Sequence, residues 1–405
     1  MKNPPRFALL ALFALASSAH AAPARQLEKL DRGVVAIHTD AGNFISWRAL
    51  GPESAATAFN LYRDGVRVND KPLMATNFVD AGAKPAASYS VRAVLGGVEA
   101  AADAAAATWN QPYLRVPLQK PADGVTPDGQ AYSYQVNDGS AADLDGDGRY
   151  ELLVKWQPTN AHDNSQRGYT GPTLLDAYRL DGTRLWRIDL GKNIRAGAHY
   201  TTYLAYDFDG DGRAEVMMKT ADGSVDGQGK VIGDATKDYR NQSGYVLAGP
   251  EFLTVFDGRS GAALASTAYL PARGTVESWG DAYGNRVDRF LGGVAYLDGV
   301  HPSAIFARGY YTRTTIVAYD WNGKKLTERW YVDSGFPAMT NPFNDSPHGR
   351  DGSNPEFATL TTQGFHSLSA SDVDGDGKHE IVYGSATPAP TTATRMVLSW
   401  KARSS

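Results

Sequence analysis

The stretch Asp143-Leu144-Asp145-Gly146-Asp147-Gly148-Arg149-Tyr150-Glu151 decides how this chain reads. It returns as Asp207-Phe208-Asp209-Gly210-Asp211-Gly212-Arg213-Ala214-Glu215 and again as Asp372-Val373-Asp374-Gly375-Asp376-Gly377-Lys378-His379-Glu380. Acidic residues at positions 1, 3, 5 and 9 converge on one centre if the backbone turns tightly. The glycines allow that turn, because φ > 0 costs them nothing. Hard carboxylate oxygens in such number suit calcium, and without a cation they would repel one another. An EF-hand places its last Glu at position 12, between helices. Here the Glu opens an apolar run, Glu151-Leu152-Leu153-Val154, Glu215-Val216-Met217-Met218 or Glu380-Ile381-Val382-Tyr383, which reads as a strand. The expected calcium residues are therefore Asp143, Asp145, Asp147, Arg149 and Glu151 in the first loop. They are Asp207, Asp209, Asp211, Arg213 and Glu215 in the second, and Asp372, Asp374, Asp376, Lys378 and Glu380 in the third.

Outward from these loops a second signal alternates with them. Asp181-Gly182, Asp257-Gly258 and Asn322-Gly323 are hairpin turns flanked by aromatic or leucine residues. The segment Ala295-Tyr296-Leu297-Asp298-Gly299-Val300 reads as the same loop with its ligands worn away. Restoring it gives one loop and one hairpin per unit, and repeated units of short antiparallel strands mean propeller blades. Four unit starts are visible between residues 109 and 385, and the last is cut short. Ahead of them, Gly33–His38, Phe44–Arg48, a hairpin through Asp64-Gly65, Thr76–Asp80 and Tyr89–Val94 read as a small fibronectin-III-like β-sandwich over residues 26–108. The expected fold is all-β: a sandwich followed by an incomplete calcium-binding β-propeller.

Residues 1–21 have the pattern of a signal peptide, with Lys2 and Arg6 before an apolar stretch and Ala19-His20-Ala21 as the cleavage site. The mature chain is thus expected to be secreted or periplasmic. It has no cysteine, so no disulfide supports it there, and bound calcium is expected to supply that support. A formal net charge of −4 argues against nucleic acid, and the absence of a basic run argues against a membrane surface. A monomer is expected.

The chain also resembles the rhamnogalacturonan lyases of polysaccharide lyase family 11, from about Leu27 to Ser385. The words that carry the resemblance include Phe59-Asn60-Leu61-Tyr62-Arg63-Asp64-Gly65, Tyr132-Ser133-Tyr134-Gln135-Val136-Asn137-Asp138 and Asp163-Asn164-Ser165. Others are Ile194-Arg195-Ala196-Gly197-Ala198-His199-Tyr200, Trp279-Gly280-Asp281, and Ala307-Arg308-Gly309-Tyr310-Tyr311-Thr312-Arg313. The resemblance implies an eight-bladed calcium propeller behind a small β domain. It also implies cleavage of the rhamnogalacturonan I backbone of pectin by β-elimination. That chemistry needs a neutralised uronate carboxylate, a base for the C5 proton and an acid for the leaving O4.

By the same resemblance Asn137 is expected to touch sugar and Asp138 to bind metal, with an Asx-turn as the plain alternative. His366 resembles the histidine of a family segment but follows Phe365 where Asn is expected. For His199 a base, a metal-side residue and a structural histidine are all open. Arg308 and Arg313 flank Tyr310-Tyr311. Guanidinium groups suit a uronate carboxylate and tyrosines suit stacking on sugar, against the plainer reading of a strand with alternating faces. The catalytic candidates are His199, His366 and Arg313, and the substrate candidates are Asn137, Arg308, Tyr310 and Tyr311. Beyond Ser385 the resemblance stops in mid-hairpin, and residues 386–405 look like out-of-frame translation, so a frameshift or truncation is expected. Three readings compete: a secreted calcium-dependent lyase, an inactive calcium-stabilised pectin-binding propeller fragment, and an adhesion module.

Overall fold

The structure is a computed structural model that describes residues 24–309, 311–336, 352–361, 364, 367–383 and 396–398. Its regular elements are β-strands, apart from two short 3-10 turns at Val276–Trp279 and Ala358–Leu360. The first eight strands are β1 (Val35–Thr39), β2 (Gly42–Ser46), β3 (Ala58–Arg63), β4 (Val66–Arg67), β5 (Asn77–Ala81), β6 (Ser88–Leu95), β7 (Val98–Glu99) and β8 (Ala106–Trp109). The β3–β4 turn puts Asp64 at φ 50° and Gly65 at φ 82°, the left-handed pair that a two-residue hairpin demands. Strand β8 changes partner midway: Ala106 and Ala107 pair with β6, while Thr108 and Trp109 run parallel to β1. This joins two layers, order β4-β3-β6-β8-β1-β2-β5, into a sandwich-like unit. Ala36, Ile45, Trp47, Phe59, Leu61, Tyr89 and Val91 fill it.

After a small ribbon of β9 (Gly124–Val125) and β10 (Ala131–Tyr132), the chain builds four antiparallel sheets. The first holds β11 (Tyr134–Ala142), β12 (Glu151–Pro158), β13 (Leu174–Tyr178) and β14 (Arg184–Asp189), extended by β17 (Ser224–Val225) and β18 (Val231–Ile232). The second holds β15 (Tyr203–Tyr206), β16 (Glu215–Ala221), β19 (Glu251–Phe256) and β20 (Ala263–Ala268). The third holds β21 (Phe290–Ala295), β22 (Ser303–Arg308), β23 (Thr315–Trp321) and β24 (Leu326–Asp333). The fourth shows β25 (Leu368–Ser371), β26 (Glu380–Tyr383) and β27 (Met396–Leu398).

The sheets stack face to face in chain order. One core cluster joins sheets one and two through Leu153, Leu175, Val216 and Phe256. A second joins two and three through Met217, Val255, Phe306 and Val317. A third joins three and four through Ile305, Ile316, Ile381 and Tyr383. The leading strands β11, β15, β21 and β25 adjoin one another in succession.

Antiparallel pairing then sorts the connections by end. Each Asp-rich loop, and the worn loop at Asp298, links the first strand of a sheet to the second, and each hairpin links the third to the fourth. All of these sit at one end. The longer connections, including 159–173, 190–202 and 269–289, sit at the other. An eight-residue strand such as β12 separates the two ends by about 25 Å.

Candidate functional site

The three Asp-rich loops fold alike. In the first, Asp143 accepts hydrogen bonds from the amides of Gly146 (2.7 Å) and Gly148 (2.8 Å), and Glu151 accepts one from Leu144 (2.9 Å). Gly146 and Gly148 stand at φ 82° and 85°, which a Cβ would strain. The second loop repeats the pattern at Asp207 and Glu215, and the third at Asp372 and Glu380. In each, one ligand atom from position 1, position 3 and the closing Glu lies within 4.8 Å of the others: Asp143, Asp145, Glu151; Asp207, Asp209, Glu215; Asp372, Asp374, Glu380.

These oxygens fit calcium by an observation of their own. Asp145 Oδ1 is buried with no hydrogen-bond partner, which a hard cation would repair. Burial, reinforced by neighbouring carboxylates, pushes Glu151 up to about 7 and Glu215 up to about 8, while Asp143, Asp207 and Asp209 are also raised. A dication would reverse that penalty.

Position 5 stands apart from the converging oxygens. Asp147, Asp211 and Asp376 instead accept from the amides of Arg149, Arg213 and Lys378. The side chains at position 7 require a correction. Arg213 pairs with Asp211, Arg149 lies 3.6 Å from Asp147, and Lys378 is exposed. Cationic side chains cannot ligate calcium, so only main-chain oxygens of Arg149, Arg213 and Lys378 could contribute.

Asp138, expected to bind metal, stands apart from the converging oxygens of the first loop. It sits midway along β11, opposite Lys155, whose Nζ donates to Asp138 Oδ2 at 3.3 Å. Five residues of extended strand place it about 16 Å from Asp143. The register slips between Val136 and Asp138, so Asn137 occupies a β-bulge, a device that re-aims a side chain. Asn137 is exposed on this strand. Nearby, the buried Tyr203 hydroxyl has no hydrogen-bond partner, and burial and Asp138 both raise it.

Arg308 is also corrected. It is 1 % exposed, too deep for sugar. Its guanidinium reaches Glu251 at 2.7 Å, Asp288 at 3.2 Å, and the carbonyls of Val287 and Pro271 at 2.9 and 3.1 Å. Lys219 and Arg273 complete this buried knot at 3.2 and 2.7 Å from Glu251. Burial alone would push the Glu251 carboxyl up, but Arg308, Lys219 and Arg273 outweigh it and hold it far below its ordinary value.

Arg313 is occupied as well. Its fork pairs with Asp333, and its charge lies 4.6 Å from the Trp279 ring centre and 4.5 Å from that of Phe336. A largely buried guanidinium held this way supports residues 311–314, which corrects its expected catalytic role. Tyr311 adopts φ 60° and donates its amide to Gly364. Tyr310 and His366 lie outside the described residues.

His199 is half-buried at the long-connection end. There its charge reaches Asp163, whose carboxyl is pushed up by burial but drawn down more by Ser165, Arg289 and His199. Asp163 takes the amide and hydroxyl of Ser165 at 3.0 and 2.9 Å and lies 3.8 Å from Arg289. Arg289 also donates to Asn285 at 2.8 Å, and Asn164 anchors the group by donating to the Asp288 carbonyl at 2.7 Å. The nomination of site residues missed Asp163 and Arg289. Their signal was the polar word Asp163-Asn164-Ser165, which no apolar periodicity explains. Lys155, the partner of Asp138, was likewise not among the sequence candidates.

The described residues thus form β-sheets with carboxylate-rich loops at one end and the Asp163, Arg289 and His199 group at the other. Comparison with known sequences identifies the family. The pattern of the rhamnogalacturonan lyase family 11 C-terminal domain matches residues 113–391, and that of the rhamnogalacturonan I lyases beta-sheet domain matches residues 25–109. The chain belongs to rhamnogalacturonan lyase family 11. It is 56 % identical over 362 residues to rhamnogalacturonan endolyase YesW of Bacillus subtilis (strain 168), covering 89 % of this chain and 56 % of that protein. Against rhamnogalacturonan exolyase YesX of the same organism it is 52 % identical over 361 residues, with the same two coverages. The crystal structure of YesW superposes with a TM-score of 0.82 at 55 % identity, over 89 % of this chain and 59 % of that one. The Bacillus licheniformis rhamnogalacturonan lyase PL11 does so with 0.82 at 56 % identity, over 90 % and 59 %. The chain thus spans little more than half the length of the relatives it matches.

Proposed function

We propose that this chain carries out, or forms part of a protein that carries out, calcium-dependent β-elimination on the rhamnogalacturonan I backbone of pectin outside the cytosol. The observation that carries this reading is the 56 % identity to a rhamnogalacturonan endolyase, sustained over 362 residues. The four stacked sheets are read as blades of a β-propeller whose axis runs beside β11, β15, β21 and β25.

In this reading the C5–H bond of galacturonate breaks, a C4–C5 double bond forms, and the C4–O4 bond to rhamnose breaks as O4 gains a proton. Calcium in the Asp-rich loops supplies rigidity there, because those loops stand at the end remote from the acid-base cluster. Asn137, aimed by its bulge, orients sugar. His199, near Asp163, is the described group best placed to take or return a proton at its imidazole.

The test incubates the purified chain with rhamnogalacturonan I backbone and calcium and follows the ultraviolet absorbance of the unsaturated uronide. Calcium-dependent absorbance supports the proposal. Binding without elimination, measured in parallel by affinity electrophoresis, would leave this chain the pectin-binding part, and neither signal would refute both activity and binding by the chain itself.

A further inference from the structure

The segment that leads into the sandwich does more than connect. Residues 25–31, which form no regular element, cross the Asp-rich end and touch each loop. Arg25 donates to the Gly377 carbonyl of the third loop at 3.2 Å and lies 5.2 Å from the Tyr296 ring centre. The Gln26 amide donates to Val300 in the worn loop at 2.8 Å, and its side chain to the Phe208 carbonyl of the second loop at 3.3 Å. The Tyr296 hydroxyl, itself paired with Tyr206 at 2.6 Å, donates to the Gln26 carbonyl at 2.6 Å. The Asp31 amide donates to Gly148 of the first loop at 2.7 Å. Asp31 then fastens the sandwich by accepting from the Gly33 amide and from Arg48, which covers Tyr150 of the first loop at 4.7 Å. Between these anchors lies the half-buried carboxylate of Glu28, against the backbone of Asp143 and within the field of Asp207.

Every anchor is uncharged or cationic toward the loops except Glu28. A carboxylate held between two loops of carboxylates is repelled when they hold no cation and attracted when each holds a dication. We propose that residues 25–31 are a cation-responsive strap, in which Glu28 couples cation occupancy of the first two loops to the docking of the N-terminal sandwich on the four sheets. The inference rests on those loops holding calcium, not on lyase activity. Linkage is reciprocal, so Glu28 raises the calcium affinity of the first two loops by the factor with which calcium tightens the strap.

Hydrogen exchange on the full chain tests this, with calcium and with chelator. The Gln26 and Asp31 amides are expected to exchange on the order of tenfold faster in chelator, while amides of β3 and β6 inside the sandwich keep their protection. Glu28→Gln is expected to shrink that difference and to weaken calcium binding, by titration calorimetry, at two of the three loops. Strap exchange that ignores calcium, or that rises only together with every core amide, would overturn the proposal. So would a Glu28→Gln variant with wild-type calcium affinity and wild-type strap exchange. A chain that takes up no calcium in calorimetry would remove its foundation.

Discussion

Replacing Arg308 by methionine tests whether that residue supports the fold or touches sugar. The methionine keeps much of the volume and removes the charge. Asp288 is then left with Arg273 alone, at 3.7 Å, and the Val287 and Pro271 carbonyls lose their donor. Glu251 keeps Lys219 and Arg273, so the knot is broken in part. Removing one partner of a buried charge network costs about 3–5 kcal/mol. With a denaturant slope of about 1–3 kcal/mol per molar urea, the midpoint should fall by more than about 1 M in saturating calcium, read by tryptophan fluorescence. Arg308→Lys should lie between, since an ammonium keeps the charge but loses the fork. A variant with a wild-type midpoint that had lost pectin binding would refute this placement and return Arg308 to the substrate surface.

In chelator, stability should fall as pH rises. Burial lifts Glu151 to about 7 and Glu215 to about 8 from an ordinary 4.5, so their contribution is complete below 4.5 and lost as pH climbs through 7 to 8. Thermal scans from pH 5 to 9 should show this slope in chelator and its loss in calcium. Asp207→Asn should reduce the number of calcium ions bound by one, counted by titration calorimetry, because Asp207 both lines its loop and holds the Gly210 and Gly212 amides. Gly258→Ala should cost about 1–3 kcal/mol by overpacking, because the new Cβ would stand 1.9 Å from the Ala214 carbonyl; an unchanged urea midpoint would contradict that packing.

The parts of this molecule legible in its sequence are those set by local geometry. The glycines at φ 82° and 85° in the first loop, and the closing Glu that opens each second strand, announce loop and strand together. The alternation of Asp-rich loop and hairpin predicts strand order within each sheet, because each signal belongs to one fixed connection. Asp138 and Arg308 were misread for opposite reasons. Asp138 was expected to bind metal by resemblance, yet the intervening strand converts its five residues into distance from the oxygens of the Asp143 loop. Arg308 ends a strand buried along its whole length, so no alternation of faces separates an inward arginine from an outward one. The strap escaped the sequence reading entirely. Gln26, Glu28 and Asp31 form no periodic pattern, and their meaning comes only from contacts with Val300, Phe208 and Gly148 across up to 274 positions of chain. Long-range polar pairing leaves no local mark, and here it gathers at both ends of the sheets: along residues 25–31 and around Asp163 and Arg289.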